Sequence, residues 1–205
     1  LYRQFASGEG NILLGTQMVA KGFHFPGVTL VGVISADAEL HFPDFRANER
    51  TFQLIMQVAG RAGRGEESGE VIVQSYAGDN PGILHAVAGD FPGFMSAEIS
   101  SRMTLGYPPS GRMIRILLKG REESAVLKTG KDVSQKLQAV IPKSVMVLGP
   151  APAPLYRLNR WYRAHLFLRG PSAGTLRTCV ERSGIDGLNR KGVHLAVDVD
   201  PVDML

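Results

Sequence analysis

Three short apolar runs constrain the first part of this chain more than any other feature. They are Asn11-Ile-Leu-Leu-Gly15, Thr29-Leu-Val-Gly-Val-Ile-Ser35 and Glu70-Val-Ile-Val-Gln-Ser-Tyr76. Each is apolar on successive positions rather than on alternate ones. A strand with that pattern is buried on both faces, as in a parallel sheet covered by helices. Between the runs, a short helical piece is expected near Gln17 to Lys21. A longer helix is expected over Ala47 to Ala59, with Phe52, Ile55, Met56 and Ala59 as its apolar stripe. Strand–helix alternation of this kind is α/β. Three strands are few for such a sheet, and the first residues, Leu1-Tyr-Arg-Gln-Phe5, are neither an initiator methionine nor a signal peptide. The expectation is a chain that starts inside a domain, residues 1–78 forming the later part of it.

Gly78-Asp-Asn-Pro81 breaks the alternation, and Gly106-Tyr-Pro-Pro109 breaks the chain again. Between them, Pro81 to Ala88 and Phe94 to Met103 read as helices, so residues 79–109 are expected to form a helical connector. From 110 to 205 a second unit follows. Ile114, Ile116 and Leu118 alternate with Met113, Arg115 and Leu117. Glu122 to Ile141 carries Val126, Val133, Leu137 and Val140 at helical spacing and stops before Pro142. Val145 to Leu148 reads as a strand followed by a stiff loop, Gly149-Pro-Ala-Pro-Ala-Pro154. Tyr162 to Leu168 is the next strand. Ser172 is an N-cap for a helix through Arg182, with Leu176 and Val180 inward. Val193, Leu195, Val197 and Val199 make a last strand. The order β-α-β-β-α-β predicts a ferredoxin-like α+β domain.

Composition narrows the function classes. Of 205 residues, 44% are hydrophobic and 20% charged, enough for an ordinary core. The formal charge of +4 permits a polyanionic partner. Cys179 is the single cysteine, which excludes a disulfide framework or a cysteine zinc site built from this chain alone and fits a reducing, cytoplasmic compartment. No apolar run reaches the roughly 20 residues of a membrane helix, so no membrane partner is expected.

The chemistry concentrates in a few stretches. Gln57, Gly60, Arg61 and Arg64, in Gln57-Val-Ala-Gly-Arg-Ala-Gly-Arg64, stand at i, i+3, i+4 and i+7. A helix would set them on one face, with a glycine where backbone can approach closely. Two guanidiniums aimed one way make an anion clamp, because each binds phosphate oxygens in pairs and stays charged. The alternative is a solvated, arginine-rich helix end. Gly15-Thr-Gln-Met-Val-Ala-Lys-Gly22 follows a predicted strand, at the end where α/β sheets gather ligands. Thr16 and Lys21 could hold a nucleic-acid phosphate there; a plain strand-to-helix turn is the alternative. Asp37, Glu39 and Asp44 crowd one loop and are expected to pair with Arg46 and Arg50 rather than to bind metal. Tyr156-Arg-Leu-Asn-Arg-Trp-Tyr-Arg-Ala-His165 interleaves aromatic rings with Arg157, Arg160 and Arg163. Arginines neutralise phosphates and rings such as Trp161 stack on unpaired bases; the alternative is a charged hairpin face. Lys128, Lys131, Lys136, Arg177 and Arg182 are further basic candidates on helices.

Q-x-x-G-R-x-G-R resembles motif VI of superfamily 2 helicases. A longer pattern is more specific: Gly15-Thr-Gln-Met-x-x-Lys-Gly-x-His-Phe-Pro-x-Val-Thr-Leu-Val31, Asp37, Asp44-Phe-Arg-x-x-Glu-Arg50 and the Gln57–Arg64 stretch. It is similar to motifs V and VI of the primosomal replication-restart DNA helicase family, and Tyr107-Pro-Pro109, Val147-Leu-Gly-Pro150 and Val197-Asp-Val-Asp-Pro201 are similar to that family's C-terminal domain. The resemblance covers nearly the whole chain. It implies the back part of a second RecA-like lobe, a partial parallel sheet with helices, followed by the C-terminal domain. The implied activity is that of an ATP-driven 3′→5′ helicase which recognises abandoned forks and restarts replication. Arg61 and Arg64 would face the γ-phosphate held by the other lobe, with Gln57 as its sensor. Gly22, His24, Asp37 and Gly60 would lie near the nucleotide, and Thr16 would touch the DNA backbone. Relatives in the superfamily carry an acid where His24 stands, so its ribose contact departs from the pattern. The implied partners are branched and single-stranded DNA, the acidic tail of the single-strand binding protein and primosome proteins.

The sequence contains no Gly-x-x-x-x-Gly-Lys-Ser/Thr loop and no Asp-Glu-x-His. ATP and magnesium would therefore be shared with a first lobe, and zinc would belong to an upstream cysteine-rich module. The chain alone is expected not to hydrolyse ATP. Two rivals remain: another superfamily 2 translocase of repair, and a stand-alone nucleic-acid-binding module on a ferredoxin-like fold.

Overall fold

The computed structural model describes residues 2–16, 27–60, 69–185, 192–202 and 204. The chain divides into two compact units, Leu1–Phe42 with Arg46–Glu98, and Pro43–Phe45 with Ile99–Leu205. In chain order, the described elements of the first begin with α1 (Tyr2–Ala6), β1 (Leu30–Val33) and a 3-10 turn (Ala36–His41). They continue with α2 (Ala47–Ala59), β2 (Glu70–Val73), α3 (Pro81–Val87) and the start of α4 (Phe91–Leu105).

β1 and β2 pair in parallel, Leu30 opposite Glu70 and Val33 opposite Val73, with α2 in the connection between them. This is the α/β unit expected from the apolar runs. Phe52, Ile55 and Val58 of α2 lie buried with Val33, Ile83, Ala86 and Phe94, and the Phe52 and Phe94 rings stack 4.2 Å apart. The expected α2 stripe is corrected at one place: Val58 is buried, while Met56 is only partly so. Two further expectations fail. The run from Asn11 to Gly15 forms no strand, and Ile12 and Leu14 are 76% and 82% exposed. The two strands are also not buried on both faces: Leu30 and Ile72 are more than half exposed, while Val31, Val33 and Val73 turn to the core. The cause is the small sheet. Among the described residues it has two strands, and the core formed with α2 takes in alternate side chains only.

Residues 79–109 hold α3 and α4. Asn80 caps α3, its side chain accepting the Gly82 N–H at 2.8 Å, and Pro81 fills the first helical position.

The second unit contains β3 (Arg112–Gly120), α5 (Glu123–Gln138), β4 (Met146–Leu158), β5 (Trp161–Gly170), α6 (Ala173–Ser183) and β6 (Val193–Val199). Its sheet runs β4-β5-β3-β6, antiparallel throughout. This is the ferredoxin-like order that the β-α-β-β-α-β reading demands. Both helices cover one face. Ile114, Ile116, Leu118, Ala164, Leu166 and Leu168 from the strands meet Val126, Val133, Leu137, Leu176 and Val180 from the helices. Ser172 caps α6 by accepting the Thr175 N–H at 3.1 Å. The stiff loop expected after Leu148 is corrected. β4 continues through the prolines to Leu158, with register shifts after Leu148 and after Pro152. Proline is tolerated there because β4 is an edge strand among the described residues, and its missing N–H leaves no neighbour unpaired.

Candidate functional site

The residues chosen from the sequence fall in two places. In the first unit, Gln57 is exposed in the last turn of α2, and Gly60 caps it, its N–H donating to the Met56 carbonyl at 3.1 Å. α2 ends at Ala59, so the helix does not carry the motif beyond that residue. Arg61 and Arg64 lie outside the described residues, as do Lys21, Gly22 and His24. Thr16 is exposed. Asp37 is 4% exposed in the 3-10 turn, where its carboxylate accepts the Tyr76 N–H at 3.4 Å. Its visible work is to tie the turn after β1 to the segment after β2. Asp44 belongs to the second unit and accepts the Met204 N–H at 3.4 Å. Among the described residues no three His, Cys, Asp or Glu side chains are grouped to hold a metal.

In the second unit the sheet has one face without helices. Strand register fixes what stands on it, because directly paired residues share a face. Met113 and Phe167 are buried there with Met204 and packed against Phe45, Tyr107 and Leu148. One step along, Leu117, His165 and Ala196 stand side by side, and beyond them Lys119, Arg163 and His194. Trp161 closes the face at the start of β5. Its ring centre is 5.3 Å from that of His194, 4.6 Å from the Arg121 guanidinium and 5.8 Å from Lys119 Nζ.

The four arginine and tryptophan candidates are therefore split. Trp161 and Arg163 share the helix-free face. Arg157 pairs with Tyr162 on the opposite face, its guanidinium 5.1 Å from that ring. Arg160 sits at the hairpin tip beside Asn159, both with positive φ (65° and 51°), as a two-residue turn of this kind requires. Tyr156 donates its hydroxyl to the Glu123 carboxylate, which holds the phenol protonated and pushes its pKa up to about 12. Sequence reading missed Lys119, Arg121 and His194. The signal was the alternation of β3, which sets Lys119 on the same side as Met113, Arg115 and Leu117.

Arg115 pairs with Asp198 at 3.1 Å across β3 and β6. His165, 7% exposed, packs edge-on against Phe167 at 4.6 Å, and its buried Nδ1 has no hydrogen-bond partner among the described residues. Burial, with Arg115 and Arg163 nearby, lowers its pKa from 6.5 to about 4, so the ring is neutral near pH 7. A separate open cleft of about 560 Å³ lies beside Lys143, Ser144 and Arg169, and none of the residues chosen from the sequence lines it.

A parallel β-α-β unit ending in Gln57 and Gly60, followed by a ferredoxin-like domain, is the makeup of a helicase C-terminal segment with an added domain. Residues 1–66 match the helicase conserved C-terminal domain, and residues 103–202 match the primosomal protein N C-terminal domain. The chain is 41% identical over 204 residues to the replication restart protein PriA of Synechocystis sp., covering 100% of this chain and 24% of that protein. It is 41% identical over 203 residues to PriA of Treponema pallidum (98% and 31%) and 35% identical over 209 residues to PriA of Bacillus subtilis (100% and 26%). The chain belongs to the PriA family, and it spans between a quarter and a third of the length of these relatives. No helix among the described residues is long and apolar enough to cross a membrane.

Proposed function

We propose that this chain forms the later part of the second lobe and the C-terminal domain of an ATP-dependent 3′→5′ DNA helicase. That helicase recognises stalled or abandoned replication forks and restarts replication by primosome assembly in the cytoplasm. The observation that carries the reading is the order of the two matched domains, a helicase C-terminal domain and then the primosomal C-terminal domain, in one chain. Arg61 and Arg64 meet the γ-phosphate of ATP held by the first lobe, where always-charged guanidiniums offset the charge that grows in the transition state. Gln57, exposed at the end of α2, fits the sensor role. Gly22, His24 and Gly60 border the nucleotide, and Asp37 acts by fixing its turn. Thr16 and Lys21 contact the DNA backbone. ATP and magnesium are shared with the first lobe, and zinc belongs to an upstream module.

The C-terminal domain contributes DNA contacts through Trp161 and Arg163, with Arg157 and Arg160 at the same hairpin. The tail of the single-strand binding protein and primosome proteins are its other partners. The test is Arg64→Ala in the full-length helicase. ATP turnover is expected to fall by about 10²-fold or more, with DNA affinity retained. A parallel fall in DNA affinity overturns the catalytic role.

A further inference from the structure

The helix-free face of the second sheet carries more than the hairpin residues. Lys119, Arg163 and His194 stand in one line across β6, β3 and β5. With adjacent strands about 4.8 Å apart, the line is about 10 Å long and runs across the strand direction. Lys119 and His194 are exposed. At one end stands Trp161, with Arg121 on its ring and Lys119 close by. On the other side of the line, His165 is neutral, nine-tenths buried and unpartnered at Nδ1 among the described residues, with Ala151 and Ala196 as small neighbours in its row. The acid on this face, Asp198, is already joined to Arg115. A row of cations beside an aromatic platform, next to a low spot with an unused polar atom, is complementary to a chain of phosphates carrying bases.

We propose that this face is a track for an unpaired nucleic-acid strand laid across the β-strands, with Lys119, Arg121 and His194 as contact residues alongside Arg163 and Trp161. The proposal rests on the DNA-binding reading of the C-terminal domain and specifies the strand form it takes. Lys119 and Arg163 neutralise backbone phosphates. The Trp161–Arg121 stack receives a base, since both indole and guanidinium planes stack on unpaired bases. A base inside a duplex cannot reach that platform, and the helices that could enter a major groove lie on the opposite face of the sheet.

The test uses the 205-residue chain with a fluorescein-labelled oligothymidylate of about 15 residues and with a duplex of matching length. Anisotropy is titrated over a range of salt. Lys119 and Arg121 serve because neither contributes to the buried core; the paired variant K119Q/R121Q is compared with R157Q, whose side chain lies on the other face. K119Q/R121Q is expected to bind the single strand about tenfold more weakly and to flatten its salt slope by about 1.4, at 0.7 per lost phosphate contact. Duplex binding and R157Q should stay near wild type. If the single strand binds K119Q/R121Q as it binds wild type, the track is wrong while the DNA-binding reading stands. If duplex binding falls equally, the face is a general polyanion surface and the proposal fails. If wild type binds neither probe, the DNA-binding reading falls and takes the proposal with it.

Discussion

The Arg121 guanidinium lies 4.6 Å from the centre of the Trp161 ring, just past the end of β3. Trp161 is the single tryptophan of the chain, so its emission reports this one place. A cation–π pair at a partly exposed site contributes about 0.5–1 kcal/mol. Arg121→Gln should therefore lower unfolding stability by no more than about 1 kcal/mol while changing the tryptophan emission. Saturating oligothymidylate should quench that emission in wild type. Unaltered emission with the strand bound would place Trp161 away from the contact.

Gly130 faces the sheet from the middle of α5. A Cβ there would stand 2.9 Å from Pro150 Cβ and 3.4 Å from Leu118 Cδ1. Glycine to alanine in a helix interior normally gains about 1 kcal/mol. Here overpacking costs about 1–3 kcal/mol, and the neighbour is a ring with no rotamer to yield. Gly130→Ala is expected to be destabilising on balance, read as a lower urea midpoint with an unchanged slope. A raised midpoint would show that α5 can move off the sheet without penalty.

These two sites also mark where sequence is a sufficient guide. Local rules gave α2 its full span, Ala47–Ala59, and the α6 cap at Ser172, because periodicity and capping involve residues a few places apart. Alternation in β3 and β5 assigned Ile114, Ile116, Ala164 and Leu166 to the core face. The sheet order follows from the element order and the handedness of the crossovers. What failed was non-local. Asn11–Gly15 has a strand's composition, yet a strand exists only where a neighbour supplies a ladder. The prolines of Gly149–Pro154 argue for a loop until β4 is known to lie at the edge. Lys119, Arg121 and His194 meet Trp161 only through pairings between β3, β5 and β6, which no short window of sequence encodes. Asp37 was read as a nucleotide contact from its place in a motif; its inward carboxylate and its bond to Tyr76 depend on where β2 ends.

His165 predicts an acid-side loss of stability. Its pKa is 6.5 when unperturbed and about 4 in the folded chain, chiefly through burial and then through Arg115 and Arg163. Between those values the unfolded chain binds the proton and the folded chain does not. Stability contributed by the neutral ring is thus complete above pH 6.5 and declines as pH falls toward 4. His165→Gln cannot titrate, so its urea midpoint should change less than that of wild type across this window. Equal pH dependence in the two proteins would show that carboxylates alone govern the acid limb.

Asn80 joins two helices of the first unit as well as starting one. Its carbonyl oxygen accepts the Gly82 N–H at 2.8 Å, and its amide donates to Asn48 Oδ1 at 3.0 Å on α2. Asn48 in turn donates to Glu98, a buried acid, at 3.4 Å. Loss of an N-cap alone costs about 0.5–2 kcal/mol, and a neutral hydrogen bond contributes about 1 kcal/mol. Asn80→Asp keeps the cap acceptor but loses the donor to Asn48, and it adds a charge near Glu98. Asn80→Ala loses both bonds. The order of stability should be wild type, then Asn80→Asp, then Asn80→Ala, with the alanine variant down by about 1.5–3 kcal/mol. If aspartate proves as harmful as alanine, the bond to Asn48, rather than the cap, is what Asn80 contributes.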